Sequence, residues 1–401
     1  MEENVAKKPT KFFGLSRNVI SMGTVSFLND LSSDMIFPFI PIFLTSVLGA
    51  GAAFVGLVEG VADATASLLK IFSGRLSDKL KVRKPFAVFG YSLSALSKPL
   101  LAFALAPWHV LAVRLLDRVG KGTRDAPRDA LISFSCEKKD VGRAFGFHRS
   151  ADTMGAALGP LLAFVILPFI QNDLRTLFLL SFVASFISVV ILWTLVKEVK
   201  NHADEMELPR FDLKTLGLPF LIFLISATIF SLGRASEAFL LLRAQNVGVA
   251  IALLPIIYFV YNFTFAVLST PAGILSDKIG HRNTFMLGIL IFSGTYFLFA
   301  RTGSLWGIWA LFAVYGFYSA FTEGVGKAIV ADLIEPRLRA TAYGVYNAFT
   351  GFAALPASVV FGILWDKFGP AFSFRYGAFL GIAAFVIFAF LRIRNHQKTG
   401  F

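Results

Sequence analysis

Apolar residues occur along this chain in long blocks that are separated by short polar or charged segments. The blocks are about 20 residues long, which is the length that an α-helix needs to cross a hydrocarbon core of about 30 Å. The pattern therefore predicts an all-α membrane protein with twelve transmembrane helices. The predicted spans are residues 18–46, 51–73, 85–106, 108–132, 144–170, 176–196, 215–242, 249–272, 284–301, 305–329, 342–364 and 373–392.

The composition is that of a protein whose solvent is lipid. Hydrophobic residues make up 56% of the 401 positions and charged residues 16%, and Phe alone accounts for 45 residues. Ordinary soluble domains are about 45–50% apolar and about 25% charged. The single cysteine, Cys136, excludes an internal disulfide, and no cluster of His and Cys predicts a metal site. No cofactor is expected.

The net charge of +13 is distributed unevenly between the two sides of the predicted bundle. Most of the 38 Lys and Arg residues lie on the side of the N-terminus, and the loops of the other side hold five: Arg175, Arg243, Arg301, Lys367 and Arg375. The positive-inside rule therefore places both termini in the cytoplasm. The basic excess is interpreted as an orientation signal, so no nucleic-acid partner is expected. We expect a monomer in a bacterial cytoplasmic (inner) membrane.

The two halves of the chain repeat each other. The polar segment at residues 197–214 divides six predicted spans from six, and it is interpreted as a cytoplasmic linker between bundles at 1–196 and 215–401. The sequence GRLSDKLKVR at residues 74–83 recurs as GILSDKIGHR at residues 273–282. Two six-helix repeats are typical of transporters, in which the substrate path lies at the repeat interface near the midplane of the membrane.

The repeated loop resembles a motif of the major facilitator superfamily, G-x-L-x-D-x-x-G-R-[RK]. The first copy matches it at Gly74, Leu76, Asp78 and Arg83, with Lys81 and Val82 at the positions of the usual glycine and arginine and Lys84 directly after it, and the second copy matches it at Gly273, Leu275, Asp277, Gly280 and Arg282. The resemblance implies the fold of that family. A carboxylate in this loop can pair with a base or cap a helix N-terminus, so the loop is interpreted as a gate that stabilises one state. Its basic residues would also orient the protein without any gating role.

Two further segments resemble the same family. In the fifth span, Gly155, Gly159 and Pro160 form the G-x-x-x-G-P of its proton-driven exporters, although close helix packing alone would also explain this glycine spacing. In the fourth span, RLLDRVGKG is similar to R-x-x-Q-G-x-G-x-G, with Asp117 and Arg118 in place of Gln and Gly. The resemblance implies a secondary transporter and favours the exporter branch.

Charged residues inside the spans are candidate functional residues, because a charge at mid-bilayer costs about 2.5–3.5 kcal/mol. The candidate proton-coupling residues are Asp30, Asp34, Glu59, Asp63 and Asp152, and the candidates for the substrate path are Arg114, Asp117, Arg118, Lys121 and Arg149. Acids four residues apart share a helix face, and clustered carboxylates in a low dielectric bind protons more readily. The alternative is a structural network in which the acids and bases neutralise one another.

These features favour a transporter that moves a small molecule by alternating access, with proton-driven efflux (antiport) as the main hypothesis. The alternative is proton-coupled uptake or exchange of an organic anion, for which Arg114, Arg118 and Arg149 would supply the binding charge. The sequence has no nucleophile elbow, H-E-x-x-H motif or phosphate loop, so an enzyme is not expected. A lipid-moving protein would need a lateral opening, which a sequence does not show. The expected partners are a small-molecule substrate, protons and the lipid bilayer.

The gate interpretation predicts that Asp78→Asn impairs transport with little loss of membrane insertion, because a contact that favours one state is weakened while the spans stay apolar. Asp277→Asn should impair transport less, since Gly280 and Asn283 stand where the first loop has the bases Lys81 and Lys84. Transport into vesicles, normalised to inserted protein, measures both effects. Equal losses would contradict this ranking, and wild-type turnover of Asp78→Asn would exclude the gate.

Overall fold

The computed structural model describes residues 15–136, 141–199, 216–335 and 338–390, which form a succession of helices. In chain order the α-helices are α1 (Arg17–Ile36), α2 (Ile40–Ile42), α3 (Ala52–Leu80), α4 (Lys84–Ala102), α5 (Pro107–Phe134), α6 (Val141–Ile166), α7 (Leu174–Leu195), α8 (Gly217–Gly233), α9 (Ala238–Val247), α10 (Leu254–Ile279), α11 (His281–Arg301), α12 (Leu305–Leu333), α13 (Arg339–Phe368) and α14 (Pro370–Ala389).

Ten helical segments are long and apolar enough to cross a membrane, and they coincide with ten of the twelve predicted spans. The other two predicted spans correspond to α4 and α5, whose lengths of 19 and 28 residues are also sufficient to cross. Helix α5 carries the stripe of charged residues predicted for the fourth span, which lowers its hydropathy. The all-α membrane fold is thereby confirmed.

The first predicted span is not one regular helix. After α1 ends at Ile36, the chain continues as a 3₁₀ turn at Phe37–Phe39, the short α2 and a π-helical turn at Phe43–Val47. Pro38 and Pro41 lie in this segment. Proline has no N–H to donate and its ring clashes with the preceding turn, so regular α-helical hydrogen bonding cannot continue here.

The seventh predicted span is interrupted, so the prediction of one continuous helix over residues 215–242 is wrong. Helix α8 ends at Gly233 and α9 begins at Ala238. Arg234 between them has an extended backbone, and its N–H bonds back to the carbonyl groups of Phe230 and Ser231. The hydroxyl of Ser236 accepts the N–H of Ala238 at 3.3 Å, so a side chain also competes with helix continuation.

The glycine position of the repeated loop motif has a conformational explanation. Gly280 follows α10 with a φ of 90°, and Lys81, at the corresponding position after α3, has a φ of 54°. Both residues therefore have a positive φ at the end of a helix, which glycine adopts without steric cost. A lysine at this position retains the turn but lacks the conformational freedom of glycine.

Packing divides the chain into two compact units. Unit 1 comprises Met1–Ile36, Leu68–Ala104 and Ala112–Glu205, and unit 2 comprises Phe37–Ser67, Leu105–Leu111 and Met206–Phe401. In unit 1, α1 packs on α6 and α7, and α4 packs on α7; in unit 2, α11 packs on α12 and α14, and α8 packs on α13 and α14. The domain boundaries expected from the sequence repeat stay a prediction, and residues 200–214 of the expected linker lie outside the described residues.

The fifth-span motif brings α6 into direct contact with the backbone of α1. A Cβ atom at Gly155 would overlap the carbonyl oxygen of Phe27, and one at Gly159 would lie 2.6 Å from the carbonyl oxygen of Leu31. Only glycine permits this separation of the two helices. Small residues four apart are the usual means of close helix packing in membranes.

We predict that Gly155→Ala lowers the unfolding temperature of the purified protein, because the added methyl group forces α1 and α6 apart at a cost of about 1–3 kcal/mol. Gly146→Ala is the matched control on the same helix, since nothing lies within 4 Å of a Cβ at that position. The control should be neutral or slightly stabilising. Unchanged thermal stability of Gly155→Ala would show that the contact is looser than described.

Candidate functional site

Unit 1 contains a group of charged side chains, here called the charge cluster, that is built by α1, α4, α5 and α6. Its members are Asp30 and Asp34 on α1, Lys98 on α4, Arg114, Asp117, Arg118, Lys121 and Arg124 on α5, and His148 and Asp152 on α6. Electrostatic interactions link these helices, since Lys121 acts on both Asp30 and Asp34 and Lys98 acts on Asp117. The structure thus brings together three helices of the sequence-predicted site and adds α4.

Asp117 is held between two arginines of its own helix. Its Oδ2 lies 3.6 Å from Nη1 of Arg114 and 3.8 Å from Nε of Arg118. All three side chains are largely buried, with exposed fractions of 19%, 6% and 14% respectively. Removing one partner of an ion pair that is buried to this extent strongly destabilises the folded protein, because the remaining charge stays in a low dielectric. Asp117 therefore has the properties of a structural counter-ion for the arginines.

A second group of ion pairs lies further along α5. Asp125 is 3.7 Å from Nη1 of Arg128 and 3.9 Å from Nζ of Lys70, and Arg128 also donates to Asp129 at 2.9 Å. Each acid in this group has a basic partner. These contacts agree with the structural alternative, in which acids and bases neutralise one another.

Lys98 and Arg124 are members of the charge cluster that were not among the predicted site residues. Lys98 is only 2% exposed, and its Nζ lies 3.4 Å from the carbonyl oxygen of Ser94. Arg124 donates to the Ser94 hydroxyl at 2.6 Å and stacks over the ring of Tyr91 at 4.4 Å. Lys98 is a lysine inside the apolar third span, and this sequence feature could have identified α4 as part of the charge cluster.

The separation of α4 and α5 at this point depends on glycine. A Cβ atom at Gly90 would lie 2.5 Å from the carbonyl oxygen of Gly120, and the reverse substitution gives the same distance. The backbones therefore touch, which brings Ser94 within reach of Arg124. The glycine pair positions the basic side chains of the cluster.

The two acids of α1 have few partners. Asp30 accepts a hydrogen bond from the amide of Asn29 at 3.0 Å. Asp34 has no hydrogen bond or ion pair with any residue in the described part of the chain, although it is half-buried and Lys121 and Arg118 act on it electrostatically. Among the acids of the charge cluster, Asp34 is the carboxylate whose charge can change without loss of a described contact.

A chain of polar contacts connects α1 to α6 one turn before Asp30. The Ser26 hydroxyl lies 3.0 Å from the Tyr91 hydroxyl and 2.7 Å from Nε2 of His148. Nδ1 of the same imidazole lies 3.6 Å from Asp152. Asp152 is thereby placed at the end of a polar chain, and His148 is a buried, hydrogen-bonded member of this chain, four residues before Asp152 on the same helix.

Three predicted site residues are not brought into the charge cluster. Glu59 and Asp63 belong to unit 2, where Glu59 is 2% exposed. The side chain of Arg149 on α6 is exposed and has no hydrogen bond or ion pair within the described residues, although it acts electrostatically on His148 and Asp152. The structure therefore concentrates the candidates on α1, α5 and Asp152.

The gating-loop residues are described in part. The side chain of Asp78 lies outside the described residues, so its predicted latch contact stays a prediction. Arg83 stacks on the ring of Phe134 at 4.5 Å, and its backbone N–H donates to Glu198 at 3.0 Å. Gly74 faces Ala126, with 3.2 Å between the Cβ that a substitution would add and the Ala126 methyl.

In the second copy of the loop, Asp277 is paired more fully than the sequence suggested. Its carboxylate lies 3.5 Å from Nε2 of His281, whose Nδ1 lies 2.6 Å from Asp332. Arg282 donates to the carbonyl oxygen of Ala389 at 2.6 Å. Around Gly273, nothing lies within 4 Å of an added Cβ.

Unit 2 has a polar site of its own at the break between α8 and α9, which sequence reasoning missed. Arg234 donates to the hydroxyl of Tyr318 at 3.2 Å and lies 3.9 Å from Glu323. The Arg234 and Glu323 side chains are 39% and 42% exposed, so the pair is accessible. Aromatic rings surround it, with Tyr315 4.5 Å and Phe292 5.1 Å from the ring of Tyr318. We call this group the aromatic site.

Comparison with known proteins identifies relatives of the whole chain. A family model of the Major Facilitator Superfamily matches residues 22–233 and 220–401. An uncharacterized MFS-type transporter of Methanocaldococcus jannaschii is 36% identical over 396 residues, which cover 97% of this chain and 98% of that protein. The multidrug resistance protein MdtH of Photorhabdus laumondii is 32% identical over 128 residues, or 32% of each chain. The crystal structure of the nucleoside transporter NupG is similar with a TM-score of 0.75 at 17% identity, covering 93% of this chain and 98% of NupG.

We predict that Asp117→Asn lowers the yield and unfolding temperature of the protein, because it leaves the charges of Arg114 and Arg118 without their carboxylate in a buried place. Loss of one partner of a buried ion pair costs about 3–5 kcal/mol. Asp34→Asn is the control, since it breaks no described contact and should change thermal stability little. A thermal shift measurement in detergent compares the two, and equal stability would contradict the structural role of Asp117.

Proposed function

Because the chain belongs to the major facilitator superfamily, we propose that this membrane transporter is a proton-driven exporter of small amphiphilic molecules in which Asp34 carries the coupled proton. The observation that carries the proposal is the placement of Asp34 in the charge cluster without an ion pair or hydrogen bond to any described residue. Both termini lie in the cytoplasm in this proposal, as the distribution of basic residues predicts.

A coupling carboxylate has to gain and lose a proton within each transport cycle. Protonation of Asp117 would remove a negative charge that lies 3.6 Å from Arg114 and 3.8 Å from Arg118 in a buried place. Protonation of Asp34 breaks no described contact. The cost of the neutral form is therefore smaller at Asp34, which favours this residue as the proton carrier.

The electrostatic surroundings of Asp34 give its charge a mechanical consequence. Lys98, Arg118 and Lys121 act on its carboxylate from α4 and α5. A charged Asp34 attracts these bases, and a protonated Asp34 does not. Because Asp34 precedes the irregular segment at Phe37–Val47, a change in this attraction acts on a part of the span that is not fixed by regular helical hydrogen bonds.

The aromatic site of unit 2 supports a substrate with an apolar body and a polar group. Aromatic rings offer a large apolar contact area, and the accessible Arg234 and Glu323 offer one charge of each sign. Export is supported by the G-x-x-x-G-P motif and by the similarity to MdtH over about a third of the chain. This support makes export the favoured direction within the proposal.

The second candidate function is proton-coupled uptake or exchange of an organic anion. The observation that favours it is the excess of bases in the charge cluster, where Lys121 has no ion pair within the described residues. A carboxylate or phosphate could bind such a base directly. Arg149, which the sequence suggested for this role, is exposed and lies outside the cluster.

We predict that Asp34→Asn abolishes accumulation driven by a pH gradient in reconstituted vesicles, while exchange of substrate without a gradient stays measurable. The reason is that a neutral side chain cannot release a proton but leaves the substrate contacts intact. Asp30→Asn, one turn away, should retain gradient-driven accumulation if Asp34 carries the proton. Transport of a panel of cationic dyes, sugars and organic acids supplies the readout.

The outcomes separate the hypotheses. Normal accumulation by Asp34→Asn would place the proton site elsewhere, with Asp30, Asp152 and Glu59 as the next candidates. Efflux of cationic dyes supports the exporter. Inhibition of transport by carboxylates or phosphates, without dye efflux, supports the anion transporter instead.

A further inference from the structure

The N-terminus of α3 is capped by a carboxylate that lies more than three hundred residues away in the chain. Oδ1 of Asp366 accepts the N–H of Ala52 at 2.9 Å, and Oδ2 accepts the N–H of Ala53 at 2.8 Å. These are the first two N–H groups of a 29-residue helix, and they have no partner within the helix itself. A negative charge also interacts favourably with the positive end of the helix dipole.

The helices on either side of this cap are packed through glycine. A Cβ atom at Gly362 would lie 2.5 Å from the carbonyl oxygen of Ala52, and one at Gly60 would lie 2.9 Å from Cα of Leu355. A Cβ at Gly56 would overlap the carbonyl oxygen of Ser358. The backbones of α3 and α13 are thus in contact over several turns within unit 2.

The contact joins the two sequence repeats. Helix α3 contains the second predicted span of the first repeat, and α13 contains the fifth span of the second repeat. A further contact of the same kind links Gln245 on α9 to the hydroxyl of Ser46 at 3.1 Å. Four of the contacting residues lie at the span ends that are opposite to the N-terminus of the chain: Ser46, Ala52, Gln245 and Asp366.

We propose that Asp366 is a latch that holds the first and second repeats together at this membrane face and that releases α3 when the face opens. The proposal rests on the alternating access of the proposed function, in which contacts between repeats at one face have to break. A carboxylate suits this role because its two hydrogen bonds are lost together, and water can hydrate both the freed N–H groups and the carboxylate. The glycine contacts bring the partners close enough for both bonds to form.

The chain also contains a cap that is local and therefore serves as a matched control. Asp173 accepts the N–H groups of Arg175 and Thr176 at the start of α7, at 3.1 and 3.2 Å. The hydroxyl of Thr176 also donates to it, and this bond, with the backbone bonds, keeps the pKa of the Asp173 carboxyl below its usual range. This cap joins neighbouring residues of one repeat, so it need not break during transport.

The test measures the distance between α13 and the end of the first span, which precedes α3 by five residues. Cys136 is replaced by serine, and spin labels are placed at Val47→Cys and Lys367→Cys, both on exposed side chains of unit 2. Double electron–electron resonance then gives the populations of short and long distances between the two labels. Asp366→Ala, which removes both acceptors, should raise the ratio of long to short distances about fivefold, the effect of losing a helix cap of typical strength. Asp173→Ala should leave the ratio unchanged.

Gly51→Ala tests the same contact from the other partner, because the added Cβ would lie 2.8 Å from Oδ2 of Asp366. It should shift the ratio in the same direction, and it decides the question if Asp366→Ala fails to fold. Unchanged distances in folded Asp366→Ala protein would overturn the latch, and if that variant does not fold, unchanged distances in Gly51→Ala would do so. The measurement needs no substrate or pH gradient, so a failure of proton-driven export would be seen separately, in the vesicle assay.

Discussion

Hydrocarbon offers no partner for a charge, so each charge inside the spans must find one within the protein or be functional. This constraint organises unit 1. Asp117 has two arginines, and Arg124 has a serine hydroxyl and a tyrosine ring. Among the acids on α1 and α5, Asp34 is the one whose carboxylate lacks such a contact with a described residue. Lys121, which acts on it electrostatically, likewise has no ion pair within the described residues.

The same constraint applies to the backbone where helices break. At the interruption between α8 and α9, the N–H of Arg234 returns to the carbonyl groups of Phe230 and Ser231, and Ser236 supplies a side-chain acceptor to α9. Irregular backbone at membrane depth is tolerated when such partners are present or when it lines a cavity. The break consequently brings an accessible Arg234 beside Glu323 among tyrosines without leaving the Arg234 N–H unsatisfied. The helix break thus forms a polar site in the second repeat, whose spans contain few charged residues.

The sequence was sufficient for the spans and for part of the site. Hydropathy placed the helices because the length of an apolar block is set by the membrane, and helical periodicity placed Arg114, Asp117 and Arg118 on one stripe. It could not find the break at Arg234, where no proline marks the position. Nor could it pair Asp366 with Ala52, since this contact depends on the folded arrangement of remote segments.

The two polar sites differ in how they can respond to a ligand. The Arg234–Glu323 pair is accessible, and each side chain carries a partner that a charged substrate group can replace, so binding exchanges one ion pair for another. Asp34 has no ion pair to exchange and can change only by taking up or releasing a proton. On the proposed mechanism, the substrate and the proton therefore act on different units of the molecule. Coupling between them then requires a conformational equilibrium that both events bias, because neither site supplies a contact that the other ligand could use.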